Sequence, residues 1–185
     1  MKRPRPAAGA PKPTAPAPDP DQAWKALSLV NDWVKHAESK LGVLLAVTGV
    51  SGGVLFNLVK DASNTSLIYN VAAVVCASAL FVSGGCAMVG LFPRVKLKRK
   101  TDDTVNPLFF HDVARAYRGD APSYSAVLHT LTTNLDDLVR HLSHQVHANA
   151  TVAQRKYRWA DRGIRALQLA LVALAALVTI IALKE

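Results

Sequence analysis

The residues best equipped for chemistry lie in one short run, where Arg155, Lys156, Arg158 and Arg162 interleave with the rings of Tyr157 and Trp159. Two readings of the run stand. As an interfacial anchor, Trp sits at the headgroups and the cations snorkel toward water. As an anion site, one cation takes a phosphate while Tyr157 or a Phe stacks on a base. Glu38 and Lys40 sit at the mouth of an apolar run that starts at Leu41. They belong at the same depth and can join the band. Asn31 and Asp32 are further polar candidates, or simply solvent-facing residues.

Other constellations carry less. His141, His144 and His147 point in directions spread over about a third of the helix circumference at about 100° per residue. Asp137 lies one turn before His141 and completes a conceivable metal set. No Glu-x-x-His pair accompanies it, so a solvated amphipathic face is the competing reading. Asp136 and Asp137 are adjacent, so they diverge by about 100° and cannot work as an acid–base pair. The chain shows no serine elbow, Cys–His pair or phosphate-binding glycine loop, so no enzyme activity and no cofactor is expected. Cys76 and Cys86 both fall inside an apolar run and read as buried small residues.

Three apolar stretches position these residues. Residues 41–59 and 67–92 are uncharged, as is the last stretch, within 165–183, from Ala166 onward. Each is long enough to cross the hydrocarbon layer as a helix. The first two, joined by a short polar turn, form a transmembrane hairpin. Gly49 and Gly53 make a GxxxG pair, where packing within the chain or self-association brings a second helix close. Ala166, Ala170 and Ala173 form a small-residue stripe on the third span. The formal charge of +9 is not spread along one polar arm as nucleic-acid binding would want. Of 22 Lys and Arg, all but Lys60 and Lys184 fall on one side of the membrane under this topology. The positive-inside rule then puts the N-terminus and residues 94–164 in the cytoplasm, within a multi-pass membrane protein.

The polar parts read as helices around a short leader. Residues 1–20 are Pro/Ala-rich and predicted disordered, with Lys2, Arg3, Arg5 and Lys12 available to anionic lipid, and no signal peptide is visible. Residues 21–40 carry Leu27, Val30, Val34 and Ala37 at a helical spacing that continues to Leu41, started by Asp19 or Asp21, and run straight into the first span. Within the insert 94–164, which opens on Arg94, Lys96, Lys98, Arg99 and Lys100, Pro107 is expected to begin a short helix ending near Tyr117. A turn follows at Arg118, Gly119 and Asp120. Ser123 then caps a long helix whose seam (Leu128, Leu131, Leu135, Leu138, Leu142, Val146, Asn149, Ala153) continues through Tyr157, Ala160 and Ile164 into the third span. Gly163 is its weak point. The predicted fold class is an all-α integral membrane protein, a transmembrane hairpin plus a third span continuous with a long cytoplasmic helix.

The assembled pattern resembles the membrane effectors of bacterial Pycsar antiphage systems. Trp33 to Leu41, with Glu38 and Lys40 two apart before the first span, is similar to one segment of that family. Asn106-Pro107-Leu108-Phe109-Phe110 is similar to its aromatic segment after the second span, and Gln145 followed by Arg155-Lys156-Tyr157 to its last helix. The resemblance covers residues 25 to 183 and marks Glu38, Lys40, Asn106, Gln145, Lys156 and Tyr157 as ligand-binding candidates. It implies a cyclase that makes a cyclic pyrimidine mononucleotide (cUMP or cCMP) on infection. The effector then compromises the inner membrane and stops growth before phage mature. The expected partners are that nucleotide, the lipid bilayer and further copies of the chain, with no nucleic acid. The alternative is a non-sensing scaffold or pore subunit of the two-span effector type, activated by a partner protein.

Overall fold

The computed structural model describes residues 19–60, 66–92 and 105–183. They form five helices and, among the described residues, no strand: α1 (Pro20–Lys60), α2 (Leu67–Leu91), α3 (Phe110–Ala116), α4 (Ala121–Thr133) and α5 (Leu135–Ala182). The Pro/Ala-rich leader before residue 19, the basic run from Arg94 to Lys100, and Lys184 lie outside them. α1, α2 and α5 are each long and apolar enough to cross a membrane.

Local chemistry sets the ends of these helices. Asp19 Oδ1 accepts from the amides of Asp21 (2.9 Å) and Gln22 (3.3 Å), while Pro20 takes the first position, where an amide has no partner anyway. α1 then continues unbroken through its polar and apolar halves for 41 residues, roughly 60 Å. Ser66 caps α2 by accepting from the Tyr69 amide. Arg118-Gly119-Asp120 turns as expected, with Gly119 at φ +78°, a conformation that favours glycine.

Three local expectations need correction. Pro107 does not begin a helix. Asn106 Oδ1 accepts from the Leu108 amide and holds Pro107 in a turn, so α3 starts at Phe110. Asp120, not Ser123, caps α4, accepting from the Ser123 amide at 3.1 Å. The rod predicted from Ser123 breaks at Asn134, where α4 ends and a new cap accepts from the Asp137 amide. Thr132 and Thr133 return hydrogen bonds to carbonyls of the preceding turn, and Asn134 takes extended geometry. α5 nonetheless runs 48 residues, roughly 72 Å, without interruption at Gly163.

The contacts fix directions. Asn31 meets Asn149, Glu38 meets Lys156 and Leu44 approaches Gly163, so α1 and α5 run parallel. Tyr69 donates to the Leu58 carbonyl, Thr48 pairs with Ser83, and Gly90 lies beside Leu41, so α2 runs the other way. In lipid, apolar burial alone does not drive helices together, and close fit decides. Leu55, Tyr69, Cys76, Leu80, Ala170 and Leu177 pack as one cluster, with the Cys76 thiol donating to the Ala170 carbonyl. Ala170 and Ala173 of the predicted small-residue stripe are buried in this cluster. A second cluster at the polar end joins Leu27 of α1 to Leu131 of α4 and to Leu138 and Leu142 of α5.

Candidate functional site

Three helices meet where the polar and apolar halves join. Lys156 Nζ lies 3.1 Å from Glu38 Oε1 and donates to the Gly90 carbonyl at 3.2 Å. One ammonium therefore ties α5 both to α1 and to the last turn of α2. The Gly90 carbonyl lies in the last turn of α2, where carbonyls have no intrahelical amide partner and positive charge is favoured. The Lys156 side chain is only 11% exposed and that of Glu38 47%, so the carboxylate still faces water while the ammonium does not. Gly90 permits this approach: a Cβ there would stand 2.8 Å from both methyls of Leu41 and 3.2 Å from the Trp159 Cβ.

Beside this junction Lys40 Nζ stands 5.1 Å from the centroid of the Tyr157 ring. Trp33 meets the same ring edge-on at 6.1 Å. With Leu29, Asp32 and His36 they line an open groove of about 490 Å³. Leu29, Trp33, His36 and Lys40 recur at 4-3-4 spacing and so share one face of α1. That spacing is the signal by which Leu29, Trp33 and His36, absent from the expected set, are legible as lining residues. Asp32 is held by Lys35 at 3.3 Å. The groove thus offers a cation, two aromatic faces and a histidine, the set that an anionic heteroaromatic ligand requires.

Asn106 and Gln145 form a separate locus. Asn106 Nδ2 donates to Gln145 Oε1 at 3.3 Å, and its backbone amide donates to Asp112 Oδ2 at 3.0 Å. Gln145 precedes Lys156 by eleven residues, so it lies about 16 Å away along α5, on nearly the same face. Glu38, Lys40, Lys156 and Tyr157 come together; Asn106 and Gln145 do not join them. Between the two loci Asn31 Oδ1 accepts from Asn149 Nδ2 at 2.7 Å. Asn31 therefore belongs to the α1–α5 seam rather than to the solvent face.

The remaining candidates separate as well. Among the described residues no group of three His, Cys, Asp or Glu is placed to hold a metal ion. Asp137 instead takes Arg140 at 2.7 Å and Asn134 Nδ2 at 2.8 Å. His141 borders a second open cavity of about 330 Å³ between α4 and α5. Partial burial lowers its pKa, helped by Arg140 and His144 and opposed by Asp137. Gly49 and Gly53 have open space where a Cβ would stand, so neither receives another of the described helices. Close approach occurs at Gly163, where a Cβ would meet Leu44 Cδ2 at 2.5 Å and the Cys86 Cβ at 3.2 Å. In the basic band, the Arg162 guanidinium lies 5.0 Å from the Trp159 ring centroid, and Arg165 pairs with Asp161 at 2.9 Å.

The family profile described as the Pycsar effector protein domain matches residues 22–183. The Pycsar effector protein PtPycTM of Propioniciclava tarda is 42% identical over 161 residues, covering 87% of this chain and 79% of that protein. The Pycsar effector protein RsPycTM of a Rhizobium species is 26% identical over 132 residues, covering 69% of this chain and 75% of its own length. No solved structure matches the chain.

Proposed function

We propose, from the premise that this chain belongs to the Pycsar effector family, that it senses a cyclic pyrimidine mononucleotide and answers by disrupting the inner membrane. In this reading the nucleotide, cUMP or cCMP, is made by a cognate cyclase on infection, and growth stops before phage mature. The observation that carries the sensing step is the groove of Trp33, His36, Lys40 and Tyr157 beside the Glu38–Lys156 pair. Lys40 has no carboxylate partner among the described residues and rests on a ring, so a phosphate can draw it away at small cost. The base then takes its place against Tyr157 and Trp33.

Coupling to the membrane runs through the helices themselves. A phosphate at Lys40 lies two residues from Glu38, which holds Lys156. Weakening that pair loosens α5 from α1 and from the Gly90 end of α2. Because α5 is one helix from Leu135 to Ala182, a shift at its polar end is carried into its apolar half. Asn106 and Gln145 act as the contact that docks the insert on the same helix. The orientation that fits this scheme puts the N-terminus and residues 94–164 in the cytoplasm.

Calorimetry of the full chain in lipid nanodiscs, titrated with cUMP and cCMP, tests the sensing claim. A binding isotherm is expected with one of them, weakened about tenfold or more by Tyr157→Ala and by Lys40→Ala. Absence of heat with both ligands removes sensing from the proposal. A second reading, a scaffold or pore subunit activated by a partner protein, is favoured by the outward-facing Gly49 and Gly53. Growth arrest on expression in cells lacking any cyclase would select it.

A further inference from the structure

Arg155, Arg158, Arg162 and Arg165 recur at intervals of three, four and three, which places them within a sector of about 80° on α5. All four are exposed. Asp161 is the one carboxylate among them, and it is taken by Arg165. The depth of this row is unusual. Gly163 faces Leu44 of α1 and Cys86 of α2, so at its level neither neighbouring helix carries a charge. Leu44 lies four residues past Lys40, the last cation of α1 before Lys60, and is therefore about 6 Å deeper. Since α1 and α5 are parallel, Arg162 and Arg165 lie about 4 and 9 Å below the level of Lys40. Cations at that depth and facing lipid pull headgroups and water inward.

We propose that the exposed Arg158–Arg162–Arg165 face is a binding site for the phosphate of an anionic phospholipid, drawn from the leaflet on the α3–α4 side to below its ordinary plane. The ligand chemistry follows from the groups present. Guanidiniums take phosphodiesters bidentately, Trp159 under Arg162 suits a headgroup boundary, and the row carries a net positive charge. A second copy of the chain is a poor occupant. At this depth it offers no carboxylate besides Asp161, because α1 has none between Glu38 and Lys60 and α2 has none at all. The inference does not depend on nucleotide sensing. It gives the bilayer beside α5 a locally thinned patch before any signal arrives.

The test uses the full chain reconstituted with phosphatidylglycerol in phosphatidylcholine, then extracted for native mass spectrometry. Phosphatidylglycerol is expected to stay bound, to survive excess inorganic phosphate, and to fall about tenfold in Arg158→Gln/Arg162→Gln. Arg115→Gln/Arg118→Gln, near α3, should retain it. The proposal is overturned if the double variant keeps its phosphatidylglycerol, if inorganic phosphate strips the lipid, or if the variant only disperses a dimer. Should that variant fail to fold, Trp159 fluorescence in a Trp24→Phe/Trp33→Phe background decides. Brominated phosphatidylglycerol should quench it more than brominated phosphatidylcholine, and equal quenching refutes the site.

Discussion

Lys156 holds two acceptors that differ in how easily they are replaced. Glu38 is half exposed and can turn to water, whereas the Gly90 carbonyl sits where α1 and α5 close over the α2 end. Lys156→Met should therefore cost about 1–3 kcal/mol, mostly through the carbonyl, because a partly solvated pair contributes little by itself. The reversed pair Glu38→Lys/Lys156→Glu restores attraction but turns a carboxylate toward that carbonyl, so less than half of the loss should return. Thermal unfolding in detergent measures both. At Gly163, a β-branched side chain meets Leu44 and the Cys86 Cβ. Gly163→Ile should lose about 1–3 kcal/mol by overpacking, while Gly49→Ile, facing open space, leaves the unfolding of the single chain near wild type. Sequence spacing alone brings Glu38 and Lys40 to the depth of Lys156 and Tyr157, and the 4-3-4 stripe reveals Trp33. It cannot reveal Gly90 or the true role of Gly163, since a glycine's neighbours come from other helices.

At the scale of elements, the heptad seam of Leu128, Leu131, Leu135 and Leu138 passes straight through Asn134, so periodicity predicts one rod there. The Asn134 side chain, which caps a new helix from an extended backbone, marks the break, and a polar cap leaves no trace in an apolar pattern. Asn134→Ala removes the α5 cap and should lower stability by about 1 kcal/mol, read by circular dichroism melts. Just past the break, His141 carries a pH dependence. Its pKa is pushed below the usual 6.5, first by burial, then by Arg140 and His144. A histidine held low binds fewer protons folded than unfolded. Its contribution is complete above the unfolded value and is lost as the pH falls through that value toward the lowered one. The melting temperature should drop on acidification across that window, and less so in His141→Gln. The Asn31–Asn149 pair, one heptad before Glu38–Lys156, sets the register of α1 on α5. Replacing Asn31 alone by Leu strands Asn149, and cysteine cross-linking should then show alternative alignments of the two helices.

For the whole molecule, charge distribution and span length are readable because lipid imposes both on any chain that crosses it. The pairing of the spans is not, since the spanning parts of α1, α2 and α5 are all apolar and only their glycines, alanines and few hydroxyls say which faces meet. We expect the protein to sediment with membranes after lysis. A cysteine-specific, impermeant reagent should fail to label a cysteine introduced within 94–164 in intact cells, and labelling there would reverse the proposed orientation.

The Lys156 junction also says something about manufacture. On a ribosome, α1 and α2 are finished roughly forty residues before α5 begins to emerge, so the hairpin must wait in the bilayer as an incomplete pair. During that interval Glu38 and the Gly90 carbonyl are without the ammonium that links them. α5, translated after both, brings the cation that joins them, and a nascent chain stalled before it would leave the cell a hairpin without its clasp.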